Sequence, residues 1–371
     1  MATIIQCVNN LDLGGLERMV LSLASQLKTR GCNSLICCIE NRGTLAAEAE
    51  QLGIPVHAIE MERHGKWVGF RNLRRWLASQ PQPVILHSHN FKPFYYAALA
   101  KITGAAAGHI HTRHGAFIRQ HRATWRYRLL RRGINRIITV SEDGRRELSR
   151  MSGLPIEQIS AIPNGIETDF FAPATDRVQI RTALGVPVNE KVIIVVARLA
   201  PEKDLGTLLR AFSIVQRQLP AATLWIVGDG PERERLTALS HELGGASQIR
   251  FWGARSDIRN LLQAADVFAL TSLSEGLSIA LIEAAACGLP IVATNVGGNP
   301  QIVNAPLGGQ LVEPRNPEAL AAALLAILND DTGRQVLGKA ARQHAVEKFS
   351  IRQMVDGYLN LYQQACGERP L

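Results

Sequence analysis

Short apolar runs alternate with stretches of helical period along most of this chain. In the first half, residues 3–8, 34–39, 55–59, 84–87, 109–112 and 136–140 are brief apolar runs that read as strands. Between or after them, residues 16–29, 44–52, 68–79, 94–102 and 142–151 read as helices. Residues 159–162 make one more short strand, and Pro163-Asn164-Gly165 is a turn that opens a linker reaching Pro173. The pattern restarts at Lys191. Residues 192–197, 223–227, 249–252, 267–270 and 290–293 read as strands, and 205–217, 232–243, 257–264, 279–286 and 317–328 as helices. Alternation of this kind predicts an α/β fold, parallel sheets with helices on both faces. Residues 351–366 read as a final helix with Tyr358, Leu361 and Tyr362 on one side. No internal repeat or low-complexity tract interrupts the pattern.

At 371 residues the chain has room for two domains of ordinary size. A hydrophobic share of 46% with 20% charged residues is that of a globular protein rather than a disordered one. Cysteines 7, 32, 37, 38, 287 and 366 form no CxxC pair and mostly fall in apolar runs, which predicts buried free thiols in a reducing compartment. The first eight residues lack the basic start of a signal peptide and read as a strand. No apolar stretch approaches the roughly 18 residues a spanning helix needs. A cytoplasmic protein is expected, peripheral at the inner face of the plasma membrane.

Charge changes the picture more. Residues 1–167 hold 22 Lys/Arg against 12 Asp/Glu, whereas the remainder is close to neutral. From Arg63 to Ser141 there are 15 Lys/Arg and no acid. Within that span, residues 119–132 look helical and interleave Trp125 and Tyr127 with Arg119, Arg122, Arg126 and Arg128. Trp125, Leu129 and Leu130 would face apolar material while the arginines meet anions. Three readings stay open: a patch for anionic lipid headgroups, a site for a polyanionic acceptor, or a solvated helix whose arginines pair elsewhere. Charge alone would also suit nucleic acid, but no nucleic-acid motif accompanies it, and none is expected as a partner.

The candidate chemistry gathers at strand ends. Glu275 and Glu283 flank a loop and helix start in Ser274-Glu275-Gly276-Leu277-Ser278-Ile279-Ala280-Leu281-Ile282-Glu283-Ala284, and Gly288-Leu289-Pro290 stops that helix. Backbone N–H groups at a helix N-terminus suit a phosphate, and the two carboxylates can accept bonds from sugar hydroxyls. The combination fits a nucleotide-sugar better than a bare anion; the plainer reading is two unrelated glutamates. Leu13-Gly14-Gly15-Leu16-Glu17 follows the first strand. Its glycines let a backbone approach a ligand, or make a tight turn with Glu17 well placed in the first helical turn. Arg198 ends a strand and Lys203 follows five residues on. Open α/β sheets bind ligands at such strand ends. Arg can fork onto phosphate oxygens and Lys adds a point charge; alternatively both are ordinary surface cations, Lys203 pairing with Glu202 or Asp204. His87 and His89 lie close together, but no nearby acid completes a metal site, so a core or acceptor-side role is expected. No Asp-x-Asp motif stands at a strand end to hold a metal on a diphosphate.

The loop from Glu275 to Glu283 resembles the signature of glycosyltransferase family 4, group 1 type, the retaining sugar transferases that include bacterial envelope and exopolysaccharide enzymes. Ser278 stands where the family usually has glycine. The resemblance covers nearly the whole chain and implies a GT-B architecture, two Rossmann-like domains facing a cleft. Residues 1–167 would be the acceptor domain, 168–350 the donor domain, and 351–371 a helix crossing back to the first. The resemblance further implies that the Gly14-Gly15 loop faces the donor phosphates. His114, in Thr112-Arg113-His114-Gly115, would touch the donor sugar near the reacting carbon. Arg198 and Lys203 would stabilise the departing diphosphate. Gly228-Asp229-Gly230-Pro231 and Trp252-Gly253-Ala254-Arg255 would receive base and ribose. Glu283 would bind ribose hydroxyls and Glu275 the transferred sugar, with Gly276, Leu277, Ser278 and Ile279 beside the phosphates. Arg198, Lys203 and that helix start would replace a metal, so neither metal nor cofactor is expected.

The expected reaction is transfer of a hexosyl or N-acetylhexosaminyl group, with retention, from a nucleotide-sugar to a lipid-linked or saccharide acceptor. A UDP-sugar is the foremost donor. A nucleotide-sugar 2-epimerase on the same fold would need acid/base carboxylates in the first domain, which the acid-free span speaks against. A non-catalytic surface-binding protein would have no need of the donor-site set.

Overall fold

Strands buried on both faces need no polar side, and β1 (Thr3–Val8) is buried along its whole length. It is the third strand of a parallel sheet with β2 (Asn33–Cys38), β3 (Val56–Ala58), β4 (Val84–His89), β5 (Gly108–Arg113), β6 (Arg136–Thr139) and β7 (Ile159–Ala161), in the order β3-β2-β1-β4-β5-β6-β7. A second parallel sheet contains β8 (Lys191–Val196), β9 (Ala222–Val227), β10 (Ile249–Gly253), β11 (Val267–Leu270), β12 (Ile291–Thr294) and β13 (Gly309–Val312), in the order β10-β9-β8-β11-β12-β13. These come from a computed structural model, which describes residues 2–114, 125–187 and 189–366. The chain divides into two units: one up to Gly165 that also takes in the chain from Ile351, and one of Ile166–Ser350.

Strand order reverses once in each sheet. In the first unit β1 lies between β2 and β4; in the second β8 lies between β9 and β11. Beyond the carboxyl ends of such neighbours, diverging connections leave a crevice where open α/β sheets bind ligands. Helix Gly15–Thr29 covers the first sheet through Met19, Val20, Leu23, Ala24 and Leu27, spaced for one face. Helix Ile351–Cys366 packs against that helix and against β4 and β5, burying Tyr358 and Tyr362.

The structure departs from the sequence pattern in several places. β4 continues to His89, because the polar side chains that end the apolar run are buried and hydrogen-bonded. Helices Arg177–Ala183, Asn299–Val303 and Asp331–Phe349, and strand β13, were not expected from the pattern. Asp331–Phe349 buries only Gly338, Ala341, Ala345 and Phe349, too narrow and small-residue a stripe to give a strong apolar period. Of residues 119–132, the described part is a short helix, Trp125–Leu129, and a 3-10 turn, Arg131–Gly133. Arg119 and Arg122 lie outside the described residues, as do the side chains of Trp125 and Arg126. Arg128 is exposed. Leu129 is 71% exposed and Leu130 is buried, and Tyr127 is not among surface arginines but in the core against Phe94. Its hydroxyl lies 3.3 Å from His111 Nε2, a partner the surface would not provide. All six cysteines are free, and all but Cys366 are buried. Among the described residues no helix is long and apolar enough to cross a membrane.

Candidate functional site

In the second unit the reversal point brings together the segments after β8 and β11. Lys203 Nζ donates to Glu275 Oε1 at 2.5 Å, and Ser272 Oγ donates to the same oxygen at 2.6 Å. The two side chains keep only 20% and 10% of their exposure, so the pair is poorly screened by water. Backbone ties fix it. Thr271 Oγ1 donates to the Lys203 carbonyl at 2.9 Å, and Leu273 N to the Glu202 carbonyl at 2.8 Å. From the end of β12, Thr294 Oγ1 donates to the Ser272 carbonyl at 2.6 Å, and Gly298 N to the Gly276 carbonyl at 2.9 Å. Gly297 has a φ of +52°, and a Cβ there would collide with the Glu275 carbonyl.

Arg198 is not drawn into this cluster. It is 66% exposed and pairs with Glu202 at 3.0 Å. Ser278 ends the loop as the N-cap of helix Ile279–Ala286, its hydroxyl accepting from Leu281 N at 3.3 Å. The serine side chain thus satisfies one amide of the helix start. Gly276 and Ile279 are half-buried, Leu277 is buried, and Glu283 is half-buried one turn into the helix. Gly228 and Gly253 meet at the ends of β9 and β10, where Gly228 N donates to the Gly253 carbonyl at 2.8 Å. Ala254 is exposed beside them. Arg255 forks onto Asp257 at 2.7 and 2.6 Å, with its guanidinium over Trp252.

In the first unit Gly14 is the N-cap of helix Gly15–Thr29. The carboxyl of Glu17 in the first turn is raised above its ordinary range by burial, with the Asp12 charge adding to the effect. His114 follows β5, and its Nε2 lies 2.9 Å from Nδ1 of His89 at the end of β4. His89 Nε2 lies 2.8 Å from Gln6 Oε1, and Gln6 Nε2 lies 3.2 Å from the Tyr362 hydroxyl. That hydroxyl lies 2.7 Å from His87 Nδ1, and His87 Nε2 lies 2.7 Å from Thr112 Oγ1. Ser88 Oγ links His109 Nε2 at 2.8 Å and His111 Nδ1 at 2.9 Å. Burial holds all five imidazoles below the ordinary histidine range, His109 down to about 4 and His114 to about 3, the latter against an opposing hydrogen bond with Asn164. His87 and His89 are therefore core residues, as expected, and His89 is the direct neighbour of His114. Among the described residues no three His, Cys, Asp or Glu groups converge to hold a metal ion.

Sequence reasoning picked out Lys203, Glu275 and His114 but missed Ser272, Thr294, Gly297, Gln6 and Tyr362. Gln6 carried a signal, a polar residue inside an apolar strand. Ser272 acts on Glu275 three residues on, and the others act through neighbours distant in sequence.

Residues 13–170 match the family described as Glycosyltransferase Family 4, and residues 176–344 that described as Glycosyl transferases group 1. A D-inositol 3-phosphate glycosyltransferase of Mycobacterium marinum is 33% identical over 244 residues, 63% of this chain and 51% of that protein. Its counterpart in Mycobacterium bovis is 34% identical over 245 residues, 63% and 49%. The chain thus spans about half the length of the curated relatives it matches. Among solved structures, a glycosyltransferase from Rickettsia africae has a TM-score of 0.87 at 24% identity, covering 99% of both chains. HepE of Anabaena, solved with UDP and glucose, has a TM-score of 0.84 at 21% identity, covering 97% of this chain and 98% of its own. These likenesses show the fold, which is GT-B. With both halves matched in order, the chain belongs to the group 1 glycosyltransferases of family 4.

Proposed function

We propose that this protein transfers a sugar, with retention and without a metal, from a UDP-sugar to a lipid-linked or saccharide acceptor. The observation that carries the reading is the Lys203–Glu275 pair at the reversal point of the second sheet, beside the start of helix Ile279–Ala286. A donor diphosphate there competes with Glu275 for the Lys203 ammonium, which releases the carboxylate to accept bonds from sugar hydroxyls. Arg198, Lys203 and the helix amides stabilise the charge that grows on the departing diphosphate. His114 is proposed as a contact of the sugar, and the Gly14-Gly15 loop as a contact of the phosphates. Gly228, Gly253, Ala254 and Glu283 take base and ribose. The relatives named as D-inositol 3-phosphate glycosyltransferases and the HepE structure with UDP-glucose support a nucleotide-sugar donor.

An anionic membrane surface is proposed as the place where the acceptor is met. Support comes from helix Lys66–Ala78, on which Trp67 is 87% exposed and Arg71, Arg74 and Arg75 stand on the same side.

The test is a thermal-shift panel of UDP-, GDP- and ADP-sugars, followed by transfer of radiolabel from the stabilising donor into lipid and saccharide acceptors with and without EDTA. A UDP-sugar raises the melting temperature by mass action, and EDTA leaves transfer intact. A protein that no nucleotide-sugar stabilises, or transfer that EDTA abolishes and Mn²⁺ restores, would overturn the reading.

A further inference from the structure

At the amino ends of β11 and β12, the end of the second sheet opposite Lys203 and Glu275, lies a cavity of about 220 Å³. Arg177, Asp266, Arg334 and Gln335 line it, beside Leu289 and Pro290. Three guanidiniums converge on its one carboxylate. Asp266 Oδ1 accepts from Arg177 Nη2 at 2.7 Å, and Oδ2 from Arg181 Nη2 at 2.9 Å and from Val192 N at 2.8 Å. Arg334 Nη2 stands off at 3.7 Å, and its Nη1 pairs at 2.7 Å with Asp331, which Lys191 also holds at 2.6 Å. Four cations thus share two carboxylates. Asp176 and Asp330 each accept from an amide at a helix start and do not line the cavity. Arg181 and Asp266 are only 3% exposed, so water screens the positive excess poorly. Nor are the donors used up. Arg177 bonds through Nη2 alone, to Asp266 and to the Ala264 and Ala265 carbonyls. Its Nε and Nη1, and the Nε and Nη2 of Arg334, have no hydrogen-bond acceptor among the described residues.

We propose that this cavity is an anion site for a phosphoryl group, inorganic phosphate or a small phosphate monoester, separate from the donor site. Guanidiniums with open N–H groups fork onto the oxygens of such an anion, and these charge-assisted bonds are roughly twice as strong as neutral ones. A doubly charged anion also balances the excess that Asp266 and Asp331 leave. The cavity has room for several waters or for one such group. Because the strands are parallel, the two sites lie at opposite ends of one sheet, and both can be filled at once.

The test titrates the full chain with inorganic phosphate and with glycerol 3-phosphate, at an ionic strength held constant with chloride, and reads binding by calorimetry and by melting temperature. Both titrations are repeated in the double variant Lys203→Met with Glu275→Gln, which lacks the donor-site cation. Binding persists there and raises the melting temperature by mass action. Gln335→Glu adds a carboxylate at an exposed position of the lining without touching an ion pair. Arg334→Gln removes a guanidinium that makes no hydrogen bond. Each weakens binding about tenfold or more, the worth of one contact to a charged group. Gln335→Glu carries the test if Arg334→Gln does not fold. Tighter binding of glycerol 3-phosphate assigns the site to a monoester; otherwise it belongs to the free ion. Neither anion binding, affinity unchanged in both single variants, or binding lost in the double variant overturns the proposal.

Discussion

Lys203→Ala removes more than a charge from the site. Its partner Glu275 is nearly buried and would keep only the Ser272 hydroxyl on Oε1. Leaving such a group without its cation costs about 1–3 kcal/mol, on top of a loss in turnover on the order of 10²-fold. The double variant Lys203→Met with Glu275→Gln should regain the melting temperature and stay slow. Melting curves and turnover on the same preparations check this; a double variant that recovers rate would show that the pair is structural. The sequence allowed each partner to be picked out, because a cation at one strand end and a carboxylate at another are local signals. It did not allow them to be joined. They are 72 positions apart and meet only because β8 and β11 are neighbours, a strand order that alternation of elements does not specify. Gln6 and Tyr362, 356 positions apart, were out of reach for the same reason.

At the scale of elements, strands were the most legible part. Runs such as Val267–Leu270 are apolar throughout, and their neighbours cover both faces. Helices with mixed or small-residue faces were lost, Asp331–Phe349 above all. Tyr127 is core, whereas helix Lys66–Ala78 buries Gly69, Leu73 and Leu77 and turns Trp67, Arg71, Arg74 and Arg75 outward. Each basic side chain near an anionic surface contributes about 1 kcal/mol. The protein is expected to co-sediment with phosphatidylserine-containing vesicles at low salt and to leave them in roughly 0.5 M salt, where screening is short-ranged. Trp67→Ala with Arg71→Glu and Arg74→Glu should abolish sedimentation and keep the donor-induced thermal shift. Wild-type sedimentation by this variant would return the role to residues 119–132.

At the scale of the molecule, four buried histidines and the half-buried His114 in one unit make its stability depend on acid. Their pKa values lie below the ordinary 6.5, so as pH falls through that value the unfolded chain takes up protons that the folded unit refuses. Stability present above pH 6.5 is lost progressively as pH falls, for His109 down to about pH 4 and for His114 to about pH 3, by about 1.4 kcal/mol per pH unit for each. Hydrogen exchange should show the first unit losing protection in this window before the second does. Simultaneous loss in both would contradict it. The division of the chain has a consequence of a different kind. The second unit is an insertion: its ends meet in a parallel bridge between Ile166 and Ser350, and the first unit is closed only by the helix that follows. During synthesis the order of completion is therefore the reverse of the order of the code. The ribosome delivers all of the second unit while the first lacks its closing helix, an interval of roughly 10–40 s at usual elongation rates. Over that interval β4, β5 and the inner face of helix Gly15–Thr29 stand uncovered on the nascent chain, a natural station for a chaperone, and any premature stop before Ile351 leaves the older half of the protein unfinished.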